Sequence, residues 1–398
     1  MKVVICGAGI AGLTLANRLS VLGNEVVLLE RAPGPRTQGY MIDFFGTGYD
    51  AVEAMGLLPA VENVAYTVDE ASLLDEDGRR RGRVQYTQFA KAIRGRLLSV
   101  MRPDLERVLR ENLPEAVDLR FGATVTAAND HGDGVTVGLG DEEIEADLLV
   151  GADGIHSTVR RLVFGEKPLR YLGFHTAAFQ FDAPEIHAAI GDRFCLTDTV
   201  GRQMGFYALR DGRVAAFAVH RTTDPQVPKD LRTAIRDSYR GLGWVVPTAL
   251  DRCPPSSEIY YDQVAQIEMP RWGKGRVVLV GDSCYAVSLL AGQGASLGIA
   301  GAYVLAHQLA HEPSIERAVS EYERLWRPIT EEKQRTARAG ARWFLPESVI
   351  QLRIRRAALK AARLPLVNRF VAGALAGKSS ALITAMRAPG RNPVVRYP

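Results

Sequence analysis

Residues 1–30 read MKVVICGAGIAGLTLANRLSVLGNEVVLLE, and this stretch decides the fold. Val3 to Cys6 reads as a short buried strand, and Ile10 to Leu22 as a helix with Leu13, Ala16 and Leu19 on one face. Glu25 to Glu30 reads as a second buried strand. Strand, helix and strand in so few residues predict a βαβ unit with a parallel sheet, and hence an α/β class. Gly7, Gly9 and Gly12 give the GxGxxG spacing between the first strand and the helix, with Ala11 inside it. The mechanism needs each glycine: one for a tight turn, one for close backbone approach to a pyrophosphate, one for packing helix on strand. Glu30 ends the second strand 18 residues past Gly12, placed to accept from a ribose hydroxyl pair. An acid there favours an unphosphorylated ribose, so this motif fits FAD or NAD better than NADP, with Arg31 directly after it.

The bulk numbers around this unit narrow the class. A chain of 398 residues with 47% hydrophobic residues predicts a soluble protein of two domains. The formal charge of +4 does not describe a nucleic-acid protein. The charge is uneven: from Trp326 onward there are 15 Lys or Arg against 3 Asp or Glu, leaving 34 against 42 in the rest. Cys6, Cys195, Cys253 and Cys284 show no paired or metal-ligand spacing, so neither a disulfide framework nor a metal site is expected. The opening apolar run breaks at glycines and no apolar stretch is long enough to span a membrane, which fits a cytoplasmic protein.

Further along, Pro103 and Asp104 open a helix to Glu111, and Asp118 to Thr126, Val135 to Leu139 and Ile144 to Val150 read as strands. Between Tyr171 and Met269 the segments FHTAAFQF, RFCL, QMGFYAL and RVAAFAVH predict an antiparallel sheet, and GRVQYTQFA around Val84 has the same character and is a candidate member of it. Arg276 to Val280 returns to a buried strand and Ala295 to Leu309 to a helix. The expected organisation is a Rossmann-like α/β domain (1–70, 99–170, 265–325) interleaved with a β-sheet substrate domain (71–98, 171–264). A basic helical tail follows (326–398).

Two further motifs carry chemistry. DLLVGADGIHSTVRRLV, residues 147–163, ends a strand at Gly151, Asp153 and Gly154 and starts a helix with Ser157, Val159 and Arg160. Asp153 can cap that helix or accept from a cofactor hydroxyl. GDSCYAVSLLAGQGASLGIAGA, residues 281–302, ends a strand on Asp282 and spends Gly292, Gly294, Gly298 and Gly301 on the next turn and helix. Together, GxGxxG, GADGxxSxVR and GDSxxxxxxxxGQGAxxG resemble the FAD-dependent aromatic hydroxylases. This family of single-component flavoprotein monooxygenases includes para-hydroxybenzoate hydroxylase and the tetracycline-inactivating hydroxylases, and the resemblance runs from residue 1 to about 325.

The resemblance implies an FAD-binding fold and assigns roles. Asp282 would bind the ribityl and pyrophosphate region, and the backbone of Gly292, Gln293, Gly294 and Ala295 would face the isoalloxazine. Glu30 would hold the adenosine ribose, Arg102 would reach the FAD linker, and Val125 would touch adenine through its backbone. Arg36 and Asp43 would lie in the loop near the flavin. Where the family has Ala-His-Pro, this chain has Cys284, Tyr285 and Ala286; Leu289 replaces a proline, and Ser296 and Gly301 replace Asn and Asp.

The implied activity is hydroxylation of an aromatic or polyketide-like small molecule through a flavin hydroperoxide, with NAD(P)H as a transient donor bound without its own Rossmann domain. Gln180, Tyr207, Arg213 and His220 are the expected substrate contacts, with Phe179, Phe181 and Phe206 as walls. One alternative is a flavin reductase or dehydrogenase of a prenyl or polyketide substrate, which the missing histidine at 285 permits; others are a flavin-dependent halogenase, faintly suggested by GWVVP at 243–247, and a protein that holds FAD without turnover. In the tail, Ile350, Ile354 and Leu359 beside Arg353, Arg355, Arg356 and Lys360 describe a basic amphipathic helix that Pro365 should break. Such a helix can lie on an anionic membrane; the plainer reading packs it across the two domains.

Overall fold

The computed structural model describes residues 1–93, 95–165, 169–289, 292–361 and 380–387. Its first sheet has six strands in the order Gly273–Lys274, Val277–Leu279, Leu148–Gly151, Lys2–Cys6, Glu25–Glu30, Val117–Phe121. All neighbours are parallel except the first pair. The helices Ile10–Val21 and Gly294–His311 cover one face. A three-stranded antiparallel sheet of Ala127–Asp130, Val135–Leu139 and Glu142–Ala146 lies against the other. With both faces covered, the central strands are apolar throughout: Val3, Val4, Ile5 and Leu28 have no exposed surface.

The second sheet has seven strands in the order Tyr260–Ile267, Leu169–Phe181, Val214–Arg221, Arg202–Ala208, Arg193–Thr197, Glu70–Leu74, Arg80–Gln85. It is antiparallel apart from Arg193–Thr197 beside Glu70–Leu74. One face packs on Pro184–Ile190, Leu231–Tyr239 and Val246–Asp251, whose apolar residues share a core with Phe181, Phe206 and Ala216. The other face looks toward the first sheet.

Three segments differ from the sequence expectation. Ile144 to Val150 is not one strand but the ends of two, in different sheets. Asp147 marks the change, its N–H donating to the Lys2 carbonyl (2.9 Å) and its carboxylate accepting from the Lys2 N–H (2.6 Å). Val125 is not in a strand, because the chain leaves the sheet after Phe121 through Gly122, whose φ of +71° suits a glycine. Of GRVQYTQFA, only the part up to Gln85 pairs, at the edge of the second sheet, and Tyr86–Ala92 is helical.

The tail reaches both halves. After the 30-residue helix Ile315–Phe344, helix Val349–Ala361 packs on the edge strand Arg80–Gln85. Helix Ser380–Arg387 buries Leu382, Ile383 and Met386 against Thr47–Ala54 and Gly294–His311. Helix Val349–Ala361 turns Arg355 toward the protein and part of its apolar side outward. Arg355 is buried, while Ile350 and Ile354 are 70% and 52% exposed. The arginines face inward because a buried carboxylate and a backbone carbonyl await them, as described below. Pro365 lies outside the described residues.

Candidate active-site cleft

Between the two sheets runs an elongated cleft. Its main chamber, about 430 Å³, is lined by the first-sheet loops and by the front face of the second sheet. A narrower branch of about 120 Å³ runs past Glu30, Phe121 and Val125. Gly9, Arg31, Arg36, Arg102 and Asp153 line both parts.

The glycines of the first motif divide into two kinds. A Cβ at Gly12 would lie 1.9 Å from the Gly7 carbonyl oxygen, and one at Gly7 would lie 2.6 Å from that of Ala152. These two are required by the protein's own packing. Gly9 is different: beyond its chain neighbours, no atom of the described residues lies within 4 Å of its built Cβ, and the same holds for Gly292 and Gly294. All three line the cleft. Their side chains would fill the cleft rather than the protein, so the backbone forms a cradle for a ligand at contact distance, as a diphosphate and a flat ring require. The helix Gly294–His311 also starts here, after Gln293 and with no side-chain cap, so its first N–H groups and its positive dipole end point at the cleft. Ala11 has a packing role as well, because its methyl lies 2.9 Å and 3.5 Å from where Cβ atoms at Gly281 and Gly298 would be.

The Glu30 carboxylate accepts from the N–H of Ala8 (3.0 Å) and of Ala32 (2.9 Å), and is thereby fixed at the mouth of the branch. An ionised carboxylate has about four acceptor positions, so two remain for a hydroxyl pair. Asp153 caps the helix Thr158–Phe164: its carboxylate accepts from the N–H of Thr158 (2.6 Å) and Val159 (3.2 Å) and from the Ser157 hydroxyl. The cap role read from the sequence is therefore filled, at a position that still borders the cleft.

Asp282 opens the short helix Asp282–Tyr285 and turns its carboxylate into the main chamber. Its side chain is open to the cleft, yet the protein packed around it partly desolvates the carboxylate and raises its pKa, with Arg102 opposing and Asp262 adding to the effect. Arg102 stands on the same chamber, its Nε 3.2 Å from Glu106. Burial works against its charge, but Glu106 together with Tyr260, Tyr40 and Asp282 more than offsets this, and the guanidinium pKa lies above its ordinary value. Asp43 borders the chamber with both oxygens engaged, by the Tyr86 hydroxyl (2.8 Å) and the Ser99 hydroxyl (2.9 Å); burial still raises its pKa. We expect Asp282→Ala to weaken FAD binding by about one to two powers of ten, the worth of charge-assisted bonds of roughly 1.5–3 kcal/mol. Flavin fluorescence titration at matched folded fraction measures it, and equal affinity in both proteins would remove Asp282 from the cofactor site.

The substrate-side residues sort by strand parity, because successive side chains point to opposite faces. Thr176, Tyr207 and Phe217 face the chamber. Tyr207 accepts from the Met41 N–H at 2.6 Å, joining the second sheet to the strand Met41–Phe45. Gln180 has the same parity as Thr176 but, with Arg213 just before the strand Val214–Arg221, lines a separate depression of about 530 Å³, where Asp211 holds Arg213 at 2.7 Å. Phe179, Phe181 and Phe206 pack on the rear face. His220 is also at the rear, its Nδ1 3.1 Å from the Tyr239 hydroxyl and its ring edge-on to His175. The aromatic walls are others: Tyr40, whose ring lies 5.3 Å from Phe217 and 5.5 Å from Tyr260, with Phe194 and Phe344. The Trp of GWVVP, Trp244, packs behind the second sheet on Phe206, away from the chamber.

Burial, with His175 adding, lowers the His220 pKa to about 4. A neutral buried imidazole binds fewer protons than the unfolded chain, so its stabilising contribution is full above pH ~6.5 and is lost as pH falls toward 4. Such a shift is of order 3 kcal/mol at most, and His220→Phe should flatten the decline of the urea midpoint between pH 6.5 and 4. An unchanged decline would place the acid sensitivity elsewhere.

The departures from the family pattern are physically coupled. The Tyr285 hydroxyl lies 2.0 Å from where a Cβ at Gly301 would be, so the phenol occupies the space a larger residue at 301 would need. Tyr285 is buried, with its ring 4.9 Å from Trp272, while Leu289 lines the chamber.

Known proteins share this arrangement. The family model described as "FAD binding domain" matches residues 1–328. The uncharacterized protein Rv1260 of Mycobacterium tuberculosis (strain ATCC 25618 / H37Rv) is 34% identical over 322 residues, covering 77% of this chain and 84% of its own. A flavin-dependent monooxygenase of Legionella longbeachae is 27% identical over 344 residues, covering 84% and 87%. The crystal structure of tetracycline destructase Tet(55) is similar with a TM-score of 0.78 and 26% identity, over 90% of this chain and 95% of that one. With the cradle, the motif order and these relatives in agreement, the chain belongs to the FAD-binding-domain family and is one of its FAD-dependent monooxygenases.

Proposed function

We propose that this monooxygenase hydroxylates an aromatic or polyketide-like small molecule bound between the Gly292–Ala295 cradle and the front face of the second sheet. The observation that carries the reading is the wall of Tyr40, Phe194, Tyr207, Phe217 and Tyr260 facing the cradle across one chamber. Such a wall takes a flat apolar ring and fixes it by shape and edge contacts. The tetracycline destructase among the relatives supports the polyketide-like half of this reading. When bound, FAD supplies electron transfer from NAD(P)H and the activation of oxygen. This chain's residues then bind and orient. Glu30 and Val125 hold the adenosine end, Arg31, Arg36 and Arg102 face the diphosphate and linker, Asp282 accepts from ribityl hydroxyls, and the aromatic walls keep water from the ring.

A screen of aromatic and polyketide compounds tests the proposal. A substrate should consume NAD(P)H and oxygen in equal amounts and gain one oxygen atom by mass. Dinucleotide oxidation with a reduced or dehydrogenated product and no matched oxygen uptake would instead establish the reductase or dehydrogenase reading.

A further inference from the structure

Asp198 follows the strand Arg193–Thr197 and has no exposed side-chain surface, yet it carries a carboxylate. Two arginines of the tail helix hold it. Arg355 Nη2 donates to Oδ1 at 2.6 Å, and Arg356 Nε donates to Oδ2 at 2.5 Å. The same Arg355 donates from Nη1 to the Phe344 carbonyl at 2.8 Å. Arg221 donates to the Leu345 carbonyl at 2.7 Å, and the Gly201 N–H donates to the Pro346 carbonyl at 2.9 Å. Three consecutive carbonyls are thus pinned by donors from the tail helix, from the strand Val214–Arg221 and from the turn before Arg202–Ala208.

The pinned segment belongs to the cleft. Phe344 lines the main chamber with Leu289 and Val264, and Leu345 is fully buried beside Phe174 and Val219. Phe194, on the strand that leads to Asp198, lines the same chamber. A buried ion pair is a weak source of stability compared with apolar packing, but its directional bonds fix register. Here the register fixed is that of two chamber walls, one from the sheet and one from the tail.

We infer that Asp198 is a positioning residue: through Arg355 it sets the place of Phe344, and Phe344 limits the size of the ring system the chamber accepts. The inference rests on the reading that substrate occupies this chamber. It concerns fit alone, so binding tests it separately from turnover.

The test uses the FAD-loaded full chain and two flat probes, 1-naphthol and the larger 1-anthrol, with dissociation constants taken from perturbation of the flavin absorbance. Phe344→Ala should shift the ratio of the two constants about tenfold in favour of 1-anthrol. Asp198→Asn should shift it in the same direction, and the double variant should show no more than Phe344→Ala alone, because both act through one ring. FAD affinity should be unchanged in all three. If Asp198→Asn folds poorly, Arg356→Gln, which loosens the same carboxylate from the half-exposed side, should give a smaller shift of the same sign. A ratio unmoved by Phe344→Ala, or effects of Asp198→Asn and Phe344→Ala that multiply, would overturn the inference. Probe binding without matched oxygen uptake for any screened compound would count against the monooxygenase reading and leave this comparison intact.

Discussion

Gly9→Val is expected to give a folded, colourless protein. The Gly9 backbone, at φ −83° and ψ −174°, is a conformation any residue adopts, and among the described residues its Cβ would meet no atom within 4 Å beyond its chain neighbours. The fold should therefore lose little. The branched side chain would instead stand in the cleft between Arg31, Arg36 and Asp153, where the diphosphate needs the backbone. Overpacking of about 3 kcal/mol is about two powers of ten in affinity, enough for FAD to be lost on purification. Gly12→Val is the contrasting case. Its Cβ would fall 1.9 Å from the Gly7 carbonyl, so it should fail to fold rather than merely lose colour. Absorbance at the flavin band per mole of protein, with far-ultraviolet circular dichroism for folding, separates the two. A yellow Gly9→Val protein of normal FAD affinity would falsify the cradle.

The contrast also shows where the sequence was informative. Gly7, Gly9 and Gly12 form a local motif between adjacent strands, so their separate duties follow from spacing alone, before any long-range contact is known. The same holds for Glu30, whereas the role expected of Asp282 rests on the resemblance to the hydroxylase family. The substrate side was less legible because strand parity can be read only after the register is fixed. Tyr207 and His220 look equally suitable in the sequence, but Tyr207 pairs with Ala215 and faces front, whereas His220 pairs with His175 and Arg202 and faces the rear helices. Tyr40, Phe194 and Phe344 come from a loop, a strand and the end of a helix far apart in the chain, and no local pattern joins them. The orientation of the tail helix is not legible locally for the same reason. Its exposed isoleucines make sense only once Asp198, some 157 residues away from Arg355, is seen to be buried beneath it.

Arg160→Met is expected to cost several kcal/mol of stability and to weaken FAD binding together with it. Arg160 is buried in the second motif, and its guanidinium forks between two loops of the cleft: Nη1 donates to the Ser283 carbonyl at 2.7 Å and Nη2 to the Ile155 carbonyl at 2.6 Å. Ser283 is the residue after Asp282, and its hydroxyl bonds to the Gly151 and Val280 carbonyls at 2.7 Å, so the second and third motifs are held as one unit. Methionine keeps the apolar stem but supplies no donor. Each carbonyl left buried without a partner costs about 1–3 kcal/mol, and the pair about 2–6 kcal/mol. The urea midpoint should fall accordingly. FAD affinity at matched folded fraction should fall by up to about tenfold, since 1.4 kcal/mol of lost positioning of Asp282 is one power of ten. Arg160→Lys restores the charge but, as a single ammonium on a flexible stem, cannot span both carbonyls, and should recover less than half of the stability. If Arg160 were only a first-turn helix residue, Arg160→Met would change stability by less than about 0.5 kcal/mol, and lysine and methionine would behave alike. That outcome would break the proposed link between the two loops and leave Asp282 to be positioned by Ser283 alone.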